Sequence, residues 1–348
     1  MMKGLAVVLA CLMVTSFVAV PVFGAAVGSR ASPLGTWRYV GGSGPGNYTT
    51  IQDAINVSVD GDTVFVYDDS APYREGLVIS HAISLIGEDR QTTVINGSGL
   101  NCNIIELEAD QVILRGFTLT DADSAGLVIY TNNNTVSDLH ITRCKTHGIF
   151  LSSNSVNPFR HGNSITNSVI DHTTNGVFCF LGAADMRFAG NVVMDNQNGL
   201  LLMDVFSSNF TGNRIGENDN GISTVYCCDN LYTKNLIINN SCGMDIQFSN
   251  DRVVKNDFLQ NGQQVRFLSA PTFELLGKFS TLRNQSWVYY FQHYRVLGTT
   301  RWMGNFWGIP HFLPYPIWGY RGLLRDAIGQ HYNQVIFDWH PSFIRITQ

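Results

Sequence analysis

Glycines recur through the middle of the chain at a near-constant interval, and that interval leaves few folds open. They open the segments Gly126-Leu-Val-Ile, Gly148-Ile-Phe-Leu, Gly176-Val-Phe-Cys, Gly199-Leu-Leu-Leu, Gly221-Ile-Ser-Thr and Gly243-Met-Asp-Ile, a period of 22 residues broken once by an interval of 28 and once by 23. A fixed period of this length marks a solenoid, in which one repeat cannot bury its apolar side alone and must stack on its neighbours. Within each repeat the apolar runs are three to five residues long and alternate, which suits strands and is too short for helices. Coiling the chain pairs each strand with its equivalent one turn later, about 4.8 Å away, in parallel sheets. The handedness of parallel crossovers predicts a right-handed parallel β-helix of roughly eight to ten rungs.

Two columns follow from the period. An apolar column reads Phe117, Leu139, Val169, Val193, Ile215, Ile237 and Phe258, and the residue two before it is Asn in the last five: Asn167, Asn191, Asn213, Asn235 and Asn256. Stacked Asn amides can hydrogen-bond along the axis, so these five are expected to form a ladder at a bend.

The two ends depart from the repeat. Lys3, the apolar run Gly4 to Phe23 and the small residues Gly24-Ala25-Ala26 have the layout of an export signal. The alternative is an uncleaved anchor, the one route by which this chain would meet a membrane. The division expected is a signal at 1–26, a linker at 27–47, the β-helix at 48–262, and irregular last rungs with an aromatic-rich C-terminal cap at 263–348. A short helix around Thr50 to Ile55 is expected to cover the first rung: Thr50 can cap it, and Ile51, Ala54 and Ile55 share one face. The rung after Gly148 carries extra residues, Val156 to His161, which must bulge outward as a loop.

Charge narrows the partners. Charged residues make up 14% of the chain and the net charge is −5, without a basic run, so nucleic acid is excluded. The six cysteines beyond the apolar run form no CxxC pair and read as buried thiols or, less simply, a disulfide framework.

The stretches Thr50-Ile-Gln-Asp-Ala-Ile55, Gly61-Asp-Thr-Val-Phe-Val66, Tyr73-Arg-Glu-Gly-Leu77 and Ile83-Ser-Leu-Ile-Gly-Glu88 resemble the opening rungs of pectate-lyase-like β-helix proteins. The chain is most similar there to NosD-like and archaeal or bacterial surface β-helix proteins. Asn305-Phe-Trp-Gly308 and Pro316-Ile317 resemble the closing segment of NosD-like chains, with Ile309-Pro-His-Phe-Leu where an Asp-rich stretch is usual. The resemblance implies the fold. It leaves activity open, because the superfamily holds lyases, hydrolases, esterases, epimerases and non-catalytic proteins.

The catalytic segments of pectin methylesterases, the paired Asp motifs of polygalacturonases and the Arg-x-Pro-x-x-Arg of pectate lyases are missing. The expectation is therefore a secreted, periplasmic or surface protein that contacts polysaccharide or envelope glycan without cleaving it. Asp121, Asp171, Asp195 and Glu217 read as turn formers. If chemistry occurs, Asp171, His172, Arg160 and His161 are the expected centre, because they flank the inserted rung. His147, Phe159, Trp302 and Trp307 are the expected binding residues. A polysaccharide lyase, hydrolase or epimerase is the first alternative and a copper-handling accessory protein the second. No motif for calcium, copper or another cofactor is present.

Overall fold

The computed structural model describes residues 35–152, 160–180, 182–269, 300–303, 305–308, 315–322, 331–338, 341–342 and 345–346. The expected signal at 1–26, Phe159 and most of the inserted loop lie outside them. All described residues belong to one unit, Leu34–Gln348.

The chain is an all-β parallel solenoid of about ten turns. Three stacks of short strands wrap it. On the first face, Trp37–Val40 pairs with Thr63–Val66, then Ser84–Gly87, and the stack continues through Ser164–Thr166, Arg187–Ala189 and Asn209–Thr211 to Arg301–Met303. The second face runs from Val94–Asn96 through Val169–Asp171, Val192–Met194, Arg214–Gly216 and Leu236–Ile238 to Asp257–Leu259. The third runs from Leu77–Ile79 through His147–Ser152, Asn175–Phe180 and Asn198–Met203 to Gln263–Ser269. Among the described residues the coil thus begins at Trp37, inside the segment expected as a linker, because Trp37–Val40 alternates and finds a parallel partner.

Alternation turns one side of every strand inward. Val64, Leu85, Leu114, Val136, Ile165, Phe188, Phe210 and Tyr232 form one continuous interior column, all fully buried. The Phe210 and Tyr232 rings stack with centroids 4.8 Å apart, the rung spacing itself. The helix Ile51–Asn56 packs Ile51, Ala54 and Ile55 onto the coil. The Thr50 hydroxyl accepts from the Asp53 amide, and the Glu75 carboxylate takes the Ile51 and Gln52 amides at 2.8 and 2.9 Å.

Every corner carries its own side-chain ladder. At the bend between first and second faces the backbone N–H of Asn191 donates to Asn213 Oδ1, Asn213 to Asn235, Asn235 to Asn256 and Asn256 to Asn305, each at 2.9–3.0 Å. Asp338 ends the column, taking the Asn305 amide. Asn167 is not a member. Val193 stands opposite Ile170, not Val169, so the ladder place belongs to Ser168, whose N–H donates to Asn191. Asn167 sits one position earlier at φ +52°, in the left-handed column it shares with Asp138, Gly190 and Gly212. The inserted residues upset the count from the glycines. Phe117 and Leu139 also belong to the ladder column, ahead of Ser168, rather than to the apolar column of Val193.

A second ladder, Thr173, Asn196, Asn218, Asn240 and Asn261, lines the bend between second and third faces. A third runs through Ser208, Asn230, Asp251 and Thr300 at the bend between third and first faces. The six cysteines among the described residues are free thiols; Cys144, Cys179, Cys227, Cys228 and Cys242 are buried.

Candidate functional site

The second face ends at a corner where polar side chains concentrate. His140 lies on strand Thr135–Thr142, one rung before Asp171, which closes strand Val169–Asp171 opposite Thr142. His172 follows in the left-handed conformation, φ +53°, stacked on Arg143 and Asp121 of the preceding rungs, which share it. That conformation turns its ring back over the strand end. His140 Nε2 lies 3.0 Å from Asp171 Oδ2, and His172 Nδ1 lies 2.9 Å from Asp171 Oδ1. One carboxylate therefore orients two imidazoles. Burial alone would raise the Asp171 pKa, but hydrogen bonds from His140, Thr142 and His172 outweigh it and hold the carboxyl well below the usual range. Asp171 is a strand residue with a built environment, not a turn former. Asp121, Asp195 and Glu217 do occupy the left-handed turn column.

The neighbouring charges are paired. Arg143 reaches both oxygens of Asp121 at 2.8 and 3.0 Å, and Lys145 pairs with Asp123. The Arg143 hydrogen bonds lower the Asp121 pKa. Arg143, Cys144, Lys145, His172, Thr173, Thr174 and Gln197 line an open groove of about 400 Å³.

The other expected residues do not converge on this corner. Arg160 and His161 pair with Ala183 and Ala184 at the bend between third and first faces. Strand Asn175–Phe180, about 17 Å long, spans the distance from the groove's corner to theirs. Arg160 is buried, with Nε donating to the Ser152 carbonyl at 3.2 Å, and His161 Nδ1 lies 3.4 Å from Asp185. The insertion separates these residues from Asp171 and His172 because it joins the opposite end of the third face.

His147 starts the third-face strand. Its Nδ1 takes the Asn175 amide at 3.0 Å, heading a further amide column through Asn198 and Asn220. Its ring lies 5.1 Å from both Phe150 and Phe178, and burial lowers its pKa. Trp302 and Trp307 are core residues rather than a sugar platform. They are 5% and 3% exposed, pack on Phe258 and fill the interior at the last rungs. Trp307 Nε1 donates to Asp338.

His140 and the Asn196 ladder escaped the sequence reading. The ladder had a signal: Asn196, Asn218 and Asn240 each stand three before a repeat glycine. His140 had none, because it reaches Asp171, 31 residues later, only through the lengthened register of the insertion-bearing rung. Among the described residues no three His, Cys, Asp or Glu side chains gather as a metal site requires.

Comparison with known proteins agrees with this architecture. The A-module of the Azotobacter vinelandii mannuronan C-5 epimerase AlgE6 superposes with a TM-score of 0.51 at 16% identity, over 78% of this chain and 84% of that one. XylC, solved with xylose, gives 0.51 at 12% identity over 68% and 69%. At such identities the likeness is one of fold. No curated protein matches in sequence. The profile of the NosD family, described as periplasmic copper-binding protein, matches residues 55–311, most of the coil, and the chain belongs to that family.

Proposed function

We propose that the chain is an exported protein of the cell envelope that holds a glycan against its coil without cleaving it. The contact is the groove beside Arg143, His172 and Gln197. The observation that carries this reading is the pairing of the groove's charges: Arg143 with Asp121, Lys145 with Asp123, and Asp171 with two imidazoles. The Arg143–Asp121 and Lys145–Asp123 ion pairs are hydrogen-bonding edges suited to sugar hydroxyls, and carboxylates held by a guanidinium or an ammonium are poor at transferring protons to a glycosidic oxygen. The periplasmic description of the family and the signal-like N-terminus support export.

Copper, named in the family description, does not fit the donors described. Among the described residues no three His, Cys, Asp or Glu side chains gather to hold a metal ion, and burial pushes the Cys144 and Cys179 thiols up to about 12, away from the thiolate form that binds metal. No step of this reading passes through copper.

The test is retention of the full-length protein on immobilised polysaccharides, beside His172→Ala/Gln197→Ala. The reading predicts retention on at least one polymer and its loss in the double variant. Unchanged retention in that variant would remove the groove from the account. A second reading, acid–base chemistry on a polysaccharide, is favoured by the Asp171-held ring of His172. It predicts that His172→Asn abolishes product formation without changing thermal stability.

A further inference from the structure

The outer side of the first face begins with four aromatic rings. Trp37 and Tyr39 alternate outward from strand Trp37–Val40, and Phe65 pairs in register beside Tyr39. Trp37 and Tyr39 stack at 6.2 Å and 29°, Tyr39 and Tyr67 at 6.1 Å and 24°, and Phe65 meets Tyr67 edge-on at 5.1 Å. Trp37 is 53% exposed and Tyr39 38%. In the next rungs half-buried Ile86 pairs with Phe65 and the exposed Arg115 pairs with Ile86, while exposed Ile113 stands in the neighbouring column opposite Ser84, so the aromatic surface is confined to the first rungs. Sheet edges are normally blunted with charge, and contiguous exposed apolar surface marks a binding site. Ring planes of this kind match the C–H faces of pyranose rings, and tyrosine adds a hydroxyl at the edge.

Charge decides the occupant. Gly42 packs against the Tyr67 ring, and its amide donates to Asp69 at 2.9 Å. Asp68 lies beside Asp69 and accepts from Thr92, while its own amide donates to Glu88. Arg38, between Trp37 and Tyr39 in the chain, turns away to pair with Asp62 at 2.9 Å. The rings are thus bordered by carboxylates and their one sequence-adjacent cation is neutralised. Such a border repels uronates, phosphates and anionic lipid headgroups, and carboxylates are good acceptors for neutral hydroxyls.

We propose that Trp37, Tyr39, Phe65 and Tyr67 form a binding site for a neutral glycan, separate from the groove at Arg143 and His172. The inference takes only its ligand class from the reading above and does not depend on that groove.

The test titrates the full-length protein with cellohexaose and with hexagalacturonate at low ionic strength, beside Trp37→Ala, Tyr39→Ala and His172→Ala/Gln197→Ala. The proposal predicts binding of cellohexaose in preference to hexagalacturonate. Each aromatic variant weakens it at least roughly fivefold with thermal stability unchanged, since both rings point outward. The groove variant retains it, which separates failure of this site from failure of the groove. Asp69→Asn narrows the preference over hexagalacturonate. Wild-type affinity in both aromatic variants overturns the proposal. So does an effect of Trp37→Ala confined to self-association or to binding of anionic vesicles, which would assign the strip to a second copy or to a lipid surface.

Discussion

Asp251 occupies a ladder place that Asn230 fills one rung earlier. Its Oδ1 accepts the Asn230 backbone and side-chain N–H groups, both at 3.0 Å, while Oδ2 is buried without a partner. Asn230 uses its second atom to donate to the Val205 carbonyl, and Asp251 can donate only when protonated. Burial pushes its pKa up to about 7 against an ordinary 3.8, with Asp229 adding to the rise and the Asn230 hydrogen bonds opposing it. Tyr232 and Cys227, the other titratable groups beside it, are buried and neutral. The folded state therefore holds a proton that the unfolded state releases between about pH 4 and 7. Stability from this site is full below pH 4, falls through that window and is gone above pH 7. Asp251→Asn is expected to stabilise the fold at pH 8 by an amount on the order of 2–4 kcal/mol, read as a higher melting temperature, and to have little effect at pH 4. Asp171 has the opposite sign. Its depressed pKa contributes stability that is full above about pH 4 and shrinks as the pH falls toward the folded-state pKa, so Asp171→Asn is expected to destabilise at pH 6 and to do so less at pH 2. Melting curves of the two variants across pH check both.

At the scale of the element, the ladders and the left-handed column are separate devices at the same corner. Asn235 accepts the Asn213 amide and donates to the Phe210 carbonyl, both fully buried. Asn235→Ala strands both groups and interrupts the column, at a cost of about 2–5 kcal/mol. Asn167→Gly places the residue best suited to φ +52° at an exposed bend and is expected to change stability by less than about 1 kcal/mol. Denaturant midpoints measured side by side distinguish the two. The contrast also shows where sequence reading reached its limit. The glycine period disclosed the coil and the run Asn191, Asn213, Asn235 and Asn256. It placed Asn167 one residue off because the insertion broke the count, and no periodicity could tell that Ser168 substitutes for an amide there. The strand Trp37–Val40 carries no repeat glycine and precedes the regular period, so the spacing gives no sign of it.

At the scale of the whole molecule, what sequence could not give was the side of the strand. Trp37, Tyr39 and Phe65 alternate as core residues do, yet face outward, whereas Trp302 and Trp307, expected as binding residues in an aromatic cap, lie inside. Alternation fixes two opposite faces and leaves the choice between them to partners many residues away. The same distance scattered the expected centre: Asp171 and His172 share a corner, Arg160 and His161 lie at another, and His147 heads a third-face strand. What results is a stiff coil with a hydrogen-bonding groove midway along it and an aromatic strip near its first rungs, a shape that offers long polymers extended contact.

The claim that this coil holds glycan without altering it is tested most directly by incubating the full-length protein with a panel of neutral and acidic polysaccharides, measuring retention, and weighing the glycans by mass spectrometry before and after. The account predicts retention on a neutral polymer whose masses are unchanged. Shortened or unsaturated products, or the absence of retention on every neutral polymer, would contradict it.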